Sequence, residues 1–429
     1  MKRIFTIFLT LSFILSFAPH VSRAALTEDL QQKIQNAQAE RDNLLEEQRK
    51  LQAQLDALNS QHKTLSGAVQ SLDATKKKLA NDIKLTESKV KNADLNIEAL
   101  ESSMTQKEAE IVLHKKAIAS TIQNLSEYDS RSMITDLLTY DKISDVWEDQ
   151  GNLQSLEDSL SLEISKLKDA QVVLNMEKDL KEQNKNDLIS LKQQLGGQKA
   201  VVENTQASKA KLLAETKNQE AAYQKLLAEN IAREKEFEKA LFDYESQLKV
   251  ALDPGGIPTV AHSILSWPLA KITVTQQFGK TSSSGRLYAS GTHNGIDLGT
   301  PVGTAVMAVR QGTIKAQGNT DLQPGCGSYG RWILVEHDNG LSTIYGHLSA
   351  TIVGNGQAVK TGQIIGYSGG QPGADGAGYS TGPHLHLGLY ATQAVRVMQY
   401  TTSIGCKNVS IPIAPPDGYL DPLAYLPKL

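Results

Sequence analysis

The sequence predicts a multidomain chain: a long antiparallel α-helical coiled-coil hairpin followed by a compact antiparallel β-sheet domain. Three observations predict it. No proline lies between Pro19 and Pro254. Of 32 glycines, only Gly67, Gly151, Gly196 and Gly197 precede residue 250. Apolar residues recur in heptads through the first half, whereas the second half holds short β-branched runs broken by glycine. A Pro-free, Gly-poor stretch rich in Leu, Lys, Glu, Gln and Ala favours helix. Gly and Pro in the remainder favour turns between short strands.

The chain opens on Lys2 and Arg3, followed by an apolar run from Ile4 to Ala18. "VSRA", residues 21–24, then places Ser22 and Ala24 at cleavage-site spacing. This pattern predicts a signal peptide over 1–24, since the run is shorter than the ~20 residues that span a bilayer. Export places the protein in the periplasm, at the cell surface or outside the cell. A disulfide between Cys326 and Cys406 is permitted there and expected. The formal net charge of −3 gives no support to a nucleic-acid partner.

The coiled-coil hairpin is expected over 25–251. From Leu51, alternating steps of four and three reach Leu55, Leu58, His62, Leu65, Val69 and Leu72, and hold phase to Ile111, Ile118 and Leu125. A second seam runs from Leu153, Leu156 and Leu160 through Leu188, Leu191 and Leu195 to Tyr223, Leu226, Phe237 and Leu248. Two arms of about 100 residues, ~150 Å at helical rise, imply an antiparallel pair. The heptads fail at about 128–152, which predicts the hairpin tip. His62 and His114 fall on the seam and read as tolerated polar positions. Self-association through the coiled coil is left open.

A linker, "LDPGGIPT" and its neighbours, is expected over 252–261, and the β domain over 262–429. "DNG" at 338–340 signals a hairpin turn. His337, just before it, reads as structural, and His262 has no assigned role.

Chemistry concentrates in the β domain. In "HLH", His384 and His386 share one face of a strand, with Leu385 on the other. "THNGIDLGTP" offers His293 and Asp297, and "YGHLS" offers His347. His293, Asp297 and one histidine of the pair make two imidazoles and a carboxylate, which is a usual catalytic zinc set. His347 and the remaining histidine are free to move a proton or steady an oxyanion.

Residues 270–395 resemble the lysostaphin/LytM-type zinc metallopeptidases of bacterial cell walls. The matching segments are "QFG", "HNGIDLGTPVGTAVMAVRQGTI", "VEHDNGLSTIYGHLS", "VKTGQIIGYSG" and "STGPHLHL". The resemblance implies one Zn2+ per chain held by His293, Asp297 and His386, with His347 and His384 as the two non-ligand catalytic histidines. It implies a metallopeptidase domain that cuts peptide bonds of peptidoglycan. Gly388 and Leu387 depart from the family pattern, which has an acidic residue and an aromatic there. The loops "QGNTDLQPGCGSYG" and "GGQPGADGAGYSTG" are longer than usual.

The helical half is similar to the coiled-coil hairpins of EnvC/PcsB-type cell-division hydrolase factors. That likeness implies a partner at the hairpin tip, a membrane ABC-type division complex of the FtsE–FtsX kind. It also raises an alternative: a catalytically silent activator of another wall hydrolase. Activators of that branch lack some zinc ligands, whereas all three are present here. Two roles of the helical half stay open: restraint, with the hairpin or the segment Asp253–Trp267 covering the groove until a partner pulls on the tip, and a passive spacer that sets the reach of the enzyme into the wall.

Overall fold

The structure is a computed structural model and describes residues 28–58, 63–129, 143–245, 255, 257–279, 293–323, 325–400, 406 and 409–429. The expected signal peptide, His62, most of the hairpin tip and the start of the linker lie outside the described residues. The chain divides into two compact units, Met1–Glu40 with Val90–Ile189, and Arg41–Lys89 with Ser190–Leu429.

The first unit is helical. Besides the start of α1 (Glu28–Leu58), it holds the distal part of α2 (Leu65–Asp129) and the proximal part of α3 (Ile143–Thr216), which pair. Rising numbers on one helix meet falling numbers on the other, so the pair is antiparallel. Ile111 packs on Ala170 and Leu174, with Met104 and Leu167 beside them. Ser103 donates to Glu177 at 2.7 Å, and Lys181 pairs with Glu101 at 2.9 Å. His114 is a seam residue with a partner: its Nδ1 lies 2.6 Å from Glu163 on the facing helix. No helix among the described residues is long and apolar enough to cross a membrane.

In the second unit the helical arms are each interrupted once, where the heptad reading ran through. The first helix, α1 (Glu28–Leu58), stops before α2 begins. Thr64 caps α2 by accepting from the Gly67 amide at 3.1 Å, and Glu220 accepts from the Leu65 amide at 2.9 Å. Both satisfy donors a helix start leaves orphaned. α3 ends at Lys217 and Asn218, whose φ values of +48° and +56° are left-handed. The Asn218 amide closes back on Leu213 O at 3.2 Å, which completes a helix C-cap. The chain then turns into α4 (Glu220–Glu245).

The β domain is antiparallel throughout. Its main sheet orders β1 (Val274–Gln276), β2 (Gly295–Gly299), β10 (His384–Ala391), β6 (Leu341–Gly346), β5 (Arg331–His337), β4 (Gly312–Asn319) and β8 (Ala358–Val359), with β13 (Tyr419–Leu420) also on β10. A three-stranded sheet orders β3 (Ala305–Met307), β9 (Ile364–Ser368) and β7 (Leu348–Thr351). β11 (Arg396–Tyr400) pairs with β12 (Val409–Ile413).

Strand alternation sorts residues between two faces. Ile296, Leu298, Leu385, Leu387 and Leu389 are fully buried in one core cluster. Each such side chain contributes about 1.5–3 kcal/mol by leaving water. Leu265 and Leu269 join the same cluster, and the Leu265 amide bonds Tyr425 O at 3.0 Å. Residues 264–269 are therefore built into the core, which corrects the restraint expectation for the last residues of Asp253–Trp267. Cys326 and Cys406 are disulfide-bonded, as expected, and buried in a second cluster on the opposite face.

The helices of this unit pack on the β domain. Leu79 and Val201 share a cluster with Ala350 and Tyr367. A Cβ at Gly197 would lie 2.1 Å from the Ile352 side chain, so only glycine allows α3 to approach this closely. That explains a mid-helix glycine that otherwise costs about 1 kcal/mol.

Candidate metal centre and active site

Register builds the site. On β10, odd residues enter the core and even residues face the other way. His386 stands directly across from Asp297 on β2, and on its other side from Gly346 on β6. His347 follows Gly346, and His293 precedes β2, bridging to Gly279. Three strands, adjacent in space and distant in sequence, thus bring five residues to one place. A Cβ at Gly295 would meet the His386 ring at 2.7 Å, so this glycine leaves room for the imidazole.

His293, Asp297 and His386 offer ligand atoms that all lie within 4.8 Å of one another. His293 Nε2 is 3.3 Å from Asp297 Oδ1 and 3.2 Å from His386 Nδ1, and His386 Nδ1 is 3.0 Å from Asp297 Oδ1. Tetrahedral zinc, at ~2.0–2.1 Å from each ligand, sets ligand atoms roughly 3.3–3.4 Å apart. Donor chemistry agrees. His293 Nδ1 faces Gln277 O at 3.1 Å. A carbonyl only accepts, so that nitrogen carries the proton and Nε2 keeps its lone pair. Two acceptors, His293 Nε2 and Asp297 Oδ1, then face each other, and a cation between them would relieve the contact. The residues present fit the metal.

The other two histidines are held in the same tautomer. His347 Nδ1 donates to Ala377 O at 2.9 Å, and His384 Nδ1 to Gly382 O at 2.7 Å. Their rings lie 4.6 Å apart, and His384 Nε2 is 3.7 Å from Asp297 Oδ1. His347 sits at φ +57°, left-handed for a non-glycine residue. Such strain persists only where the surroundings fix it. The Tyr329 ring lies 5.6 Å from His386, and its hydroxyl accepts from Asn294 at 2.8 Å.

Electrostatics favour the charged form of Asp297 and disfavour charge on His347 and His386. Burial alone would raise the Asp297 carboxyl, but the neighbouring His293 and His384 outweigh it and hold it well below the usual range. Burial, reinforced by His384 and His386, pushes His347 well down. Burial also pushes His386 down, against the pull of Asp297. A charged Asp297 and an uncharged His386 are the forms that bind a metal.

All five residues singled out in the sequence meet here. His337 does not: its Nδ1 faces Gln311 O at 3.1 Å and its Nε2 faces Thr343 Oγ1 at 2.8 Å. His262 bonds Leu426 O at 3.2 Å, away from the centre. Sequence reasoning passed over Asn294, Tyr329 and the carbonyls of Ala377 and Gly382. Backbone acceptors leave no residue-type signal, although both carbonyls fall in a loop noted for its length. Gly388, the departure from the family pattern, has a local reason: a Cβ there would lie 2.7 Å from Ile344 Cγ2.

A β domain presenting two imidazoles and a carboxylate from paired strands, with two further histidines beside them, defines a metallopeptidase-type centre. Residues 291–397 match the family model of Peptidase family M23, and this part of the chain is an M23 domain. The chain is 36% identical over 119 residues to the DD-carboxypeptidase/endopeptidase Mpg of Neisseria meningitidis serogroup B, covering 28% of this chain and 24% of that one. It is 39% identical over 97 residues to the peptidoglycan DD-endopeptidase ShyA of Vibrio cholerae, covering 23% and 20%. It is 44% identical over 97 residues to the glycyl-glycine endopeptidase ALE-1 of Staphylococcus capitis, covering 23% and 24%. The matched region thus spans a quarter or less of these relatives. Among solved structures, the catalytic domain of lysostaphin from Staphylococcus simulans is similar at 27% identity, over 35% of this chain and 89% of that one, with a TM-score of 0.25.

Proposed function

We propose that the protein is an exported zinc endopeptidase that hydrolyses amide bonds of peptidoglycan peptides in wall remodelling or cell division. The convergence of His293 Nε2, Asp297 Oδ1 and His386 Nδ1 within 3.0–3.3 Å carries the reading. Zinc bound there would act as a Lewis acid that activates a water. His347 and His384, with Nδ1–H bonds fixed by backbone carbonyls, present Nε2 lone pairs to take up a proton and, once protonated, to steady negative charge on the scissile carbonyl. Tyr329, anchored by Asn294, lines the site beside His386.

The helical half restrains this site until a membrane partner, an ABC-type complex of the FtsE–FtsX kind, acts at the hairpin tip. What supports restraint is α4. Asn230 donates to Ser380 O at 3.4 Å, and Ser380 Oγ lies 3.1 Å from His384 Nδ1. Leu241 is buried in the cluster that holds Tyr329, and buried Glu245 accepts from the Tyr419 hydroxyl. His293 and His386 are 1% and 4% exposed, whereas the His384 side chain is 14% exposed.

The test is digestion of purified sacculi by the full chain and by its Glu245→Ala form, with mass analysis of released muropeptides. Cleaved peptide cross-links, lost in His384→Ala at equal zinc content, are expected. Zinc binding with no cleavage in any form would leave the silent-activator reading.

A further inference from the structure

We propose that Asp321 is a positioning residue that sets the tautomer and direction of His347 by holding the Ala377 carbonyl in place. The inference rests on His347 belonging to the machinery described above. It concerns the two loops that depart from the family pattern in length.

His347 needs an external hold. Its backbone is left-handed, and its ring is fixed by one donated bond, from Nδ1 to Ala377 O at 2.9 Å. Ala377 lies in the loop between β9 and β10, which has no regular secondary structure of its own. Asp321, from the loop after β4, holds that loop on both sides of Ala377. A single oxygen, Asp321 Oδ2, accepts from the Gly376 amide at 2.8 Å and from the Gly378 amide at 3.1 Å. A carboxylate on two backbone amides makes charge-assisted bonds. The peptide units of Ala377 are thereby clamped, and the direction of its carbonyl with them.

Asp321 is itself placed by its own loop. Its amide donates to Asn319 Oδ1 at 3.1 Å, and the Thr320 amide donates to Gly330 O at 2.9 Å. The glycines let the two loops close on each other. Gly376 and Gly378 have φ of +83° and +58°, and a Cβ at Gly378 would lie 2.2 Å from Gly327 O. The clamp carries a cost: burial holds the Asp321 carboxyl above its usual range although both amides favour its charged form. Arg331 adds a brace, bonding Asp375 Oδ2 at 2.6 Å and Ser349 O at 2.5 Å. None of these groups touches the metal set; they act through the loop that carries the histidine's partner.

The prediction separates geometry from chemistry. In the zinc-loaded full chain, 15N-labelled histidine spectra are expected to show His347 as the Nδ1–H tautomer, assigned by its loss in His347→Gln. Asp321→Ala is expected to mix the tautomers and to lower kcat roughly 10- to 100-fold, with KM and zinc content unchanged. Asp321→Asn keeps an oxygen able to accept both amides, and is expected to restore both readouts. If Asp321→Ala does not fold, Asp321→Ser, whose oxygen is too short to reach both amides, replaces it. An unchanged His347 tautomer in the Ala or Ser variant overturns the proposal. So does a variant that shifts the tautomer equally in Asp321→Asn. A wild-type chain without peptidase activity, whose tautomer still responds to Asp321→Ala, would remove the proposed function and leave the positioning role standing.

Discussion

Asp297 and His386 are cross-strand partners on β2 and β10, and Asp297 Oδ1 lies 3.0 Å from His386 Nδ1. Strand pairing alone creates this contact. A one-residue slip of β10 would bury His386 in the core and turn Leu385 toward the metal set. Replacing either ligand should abolish metal binding. Asp297→Ala and His386→Ala are expected to lose zinc stoichiometry by metal analysis, with hydrolysis. His384→Ala should keep zinc, since its Nδ1 is committed to Gly382 O and its Nε2 is 3.7 Å from Asp297 Oδ1. Equal zinc loss in His384→Ala and His386→Ala would refute the division of roles.

His337 makes stability depend on pH. Burial pushes its imidazole from 6.5 down to about 4. The unfolded chain therefore binds the proton more readily, and the folded state is favoured above the unfolded value. As pH falls from 6.5 toward 4, that preference is lost, about 3 kcal/mol across the window. Denaturation midpoints of the metal-free chain at pH 7 and pH 4 should show it. His337→Gln should flatten the dependence by that amount, and an identical slope in both proteins would exclude the assignment.

The disulfide ties the loop that carries Asp321 to the segment before β12. Cys326 and Cys406 are separated by 80 residues. Closing a loop of that length restricts the unfolded chain by roughly 4 kcal/mol. The Cys326→Ala/Cys406→Ala protein should unfold at a clearly lower denaturant concentration. Reductant should move the wild-type midpoint the same way and leave the double variant's midpoint where it is.

Restraint by α4 predicts a gain of activity. Glu245 is buried and accepts from Tyr419, whose hydroxyl burial and Glu245 together hold well above its usual range. Deleting one partner of such a bond costs about 1–3 kcal/mol. A two-state closure would then shift roughly 5- to 150-fold toward open. Glu245→Ala should hydrolyse sacculi faster than wild type at equal zinc content. An unchanged or slower rate would leave α4 as a passive support.

Much of the architecture was legible because it rests on local patterns. Heptads marked the antiparallel helices, and Gly-punctuated β-branched runs marked the β domain. Neither interruption of the arms was visible. The breaks depend on cap bonds from Thr64 and Glu220 and on two left-handed residues, Lys217 and Asn218, none of which disturbs an apolar repeat.

By itself the sequence determined which residues could carry chemistry. His293, Asp297, His347, His384 and His386 stood out because imidazoles and a carboxylate are few in this domain and fall in short motifs. Strand period put the HLH pair on one face. Tertiary structure alone decided their meeting, through a β2–β10–β6 register set between segments about 40 to 90 residues apart. It also decided what holds them. Ala377 O, Gly382 O and Gln277 O are backbone acceptors, which every residue type supplies, so no side chain announces them. Asp321 reads as an ordinary turn aspartate until the fold brings Gly376 and Gly378 to its carboxylate. Long-range pairing has no local signature, because its free energy comes from groups that are neighbours only after the chain has folded.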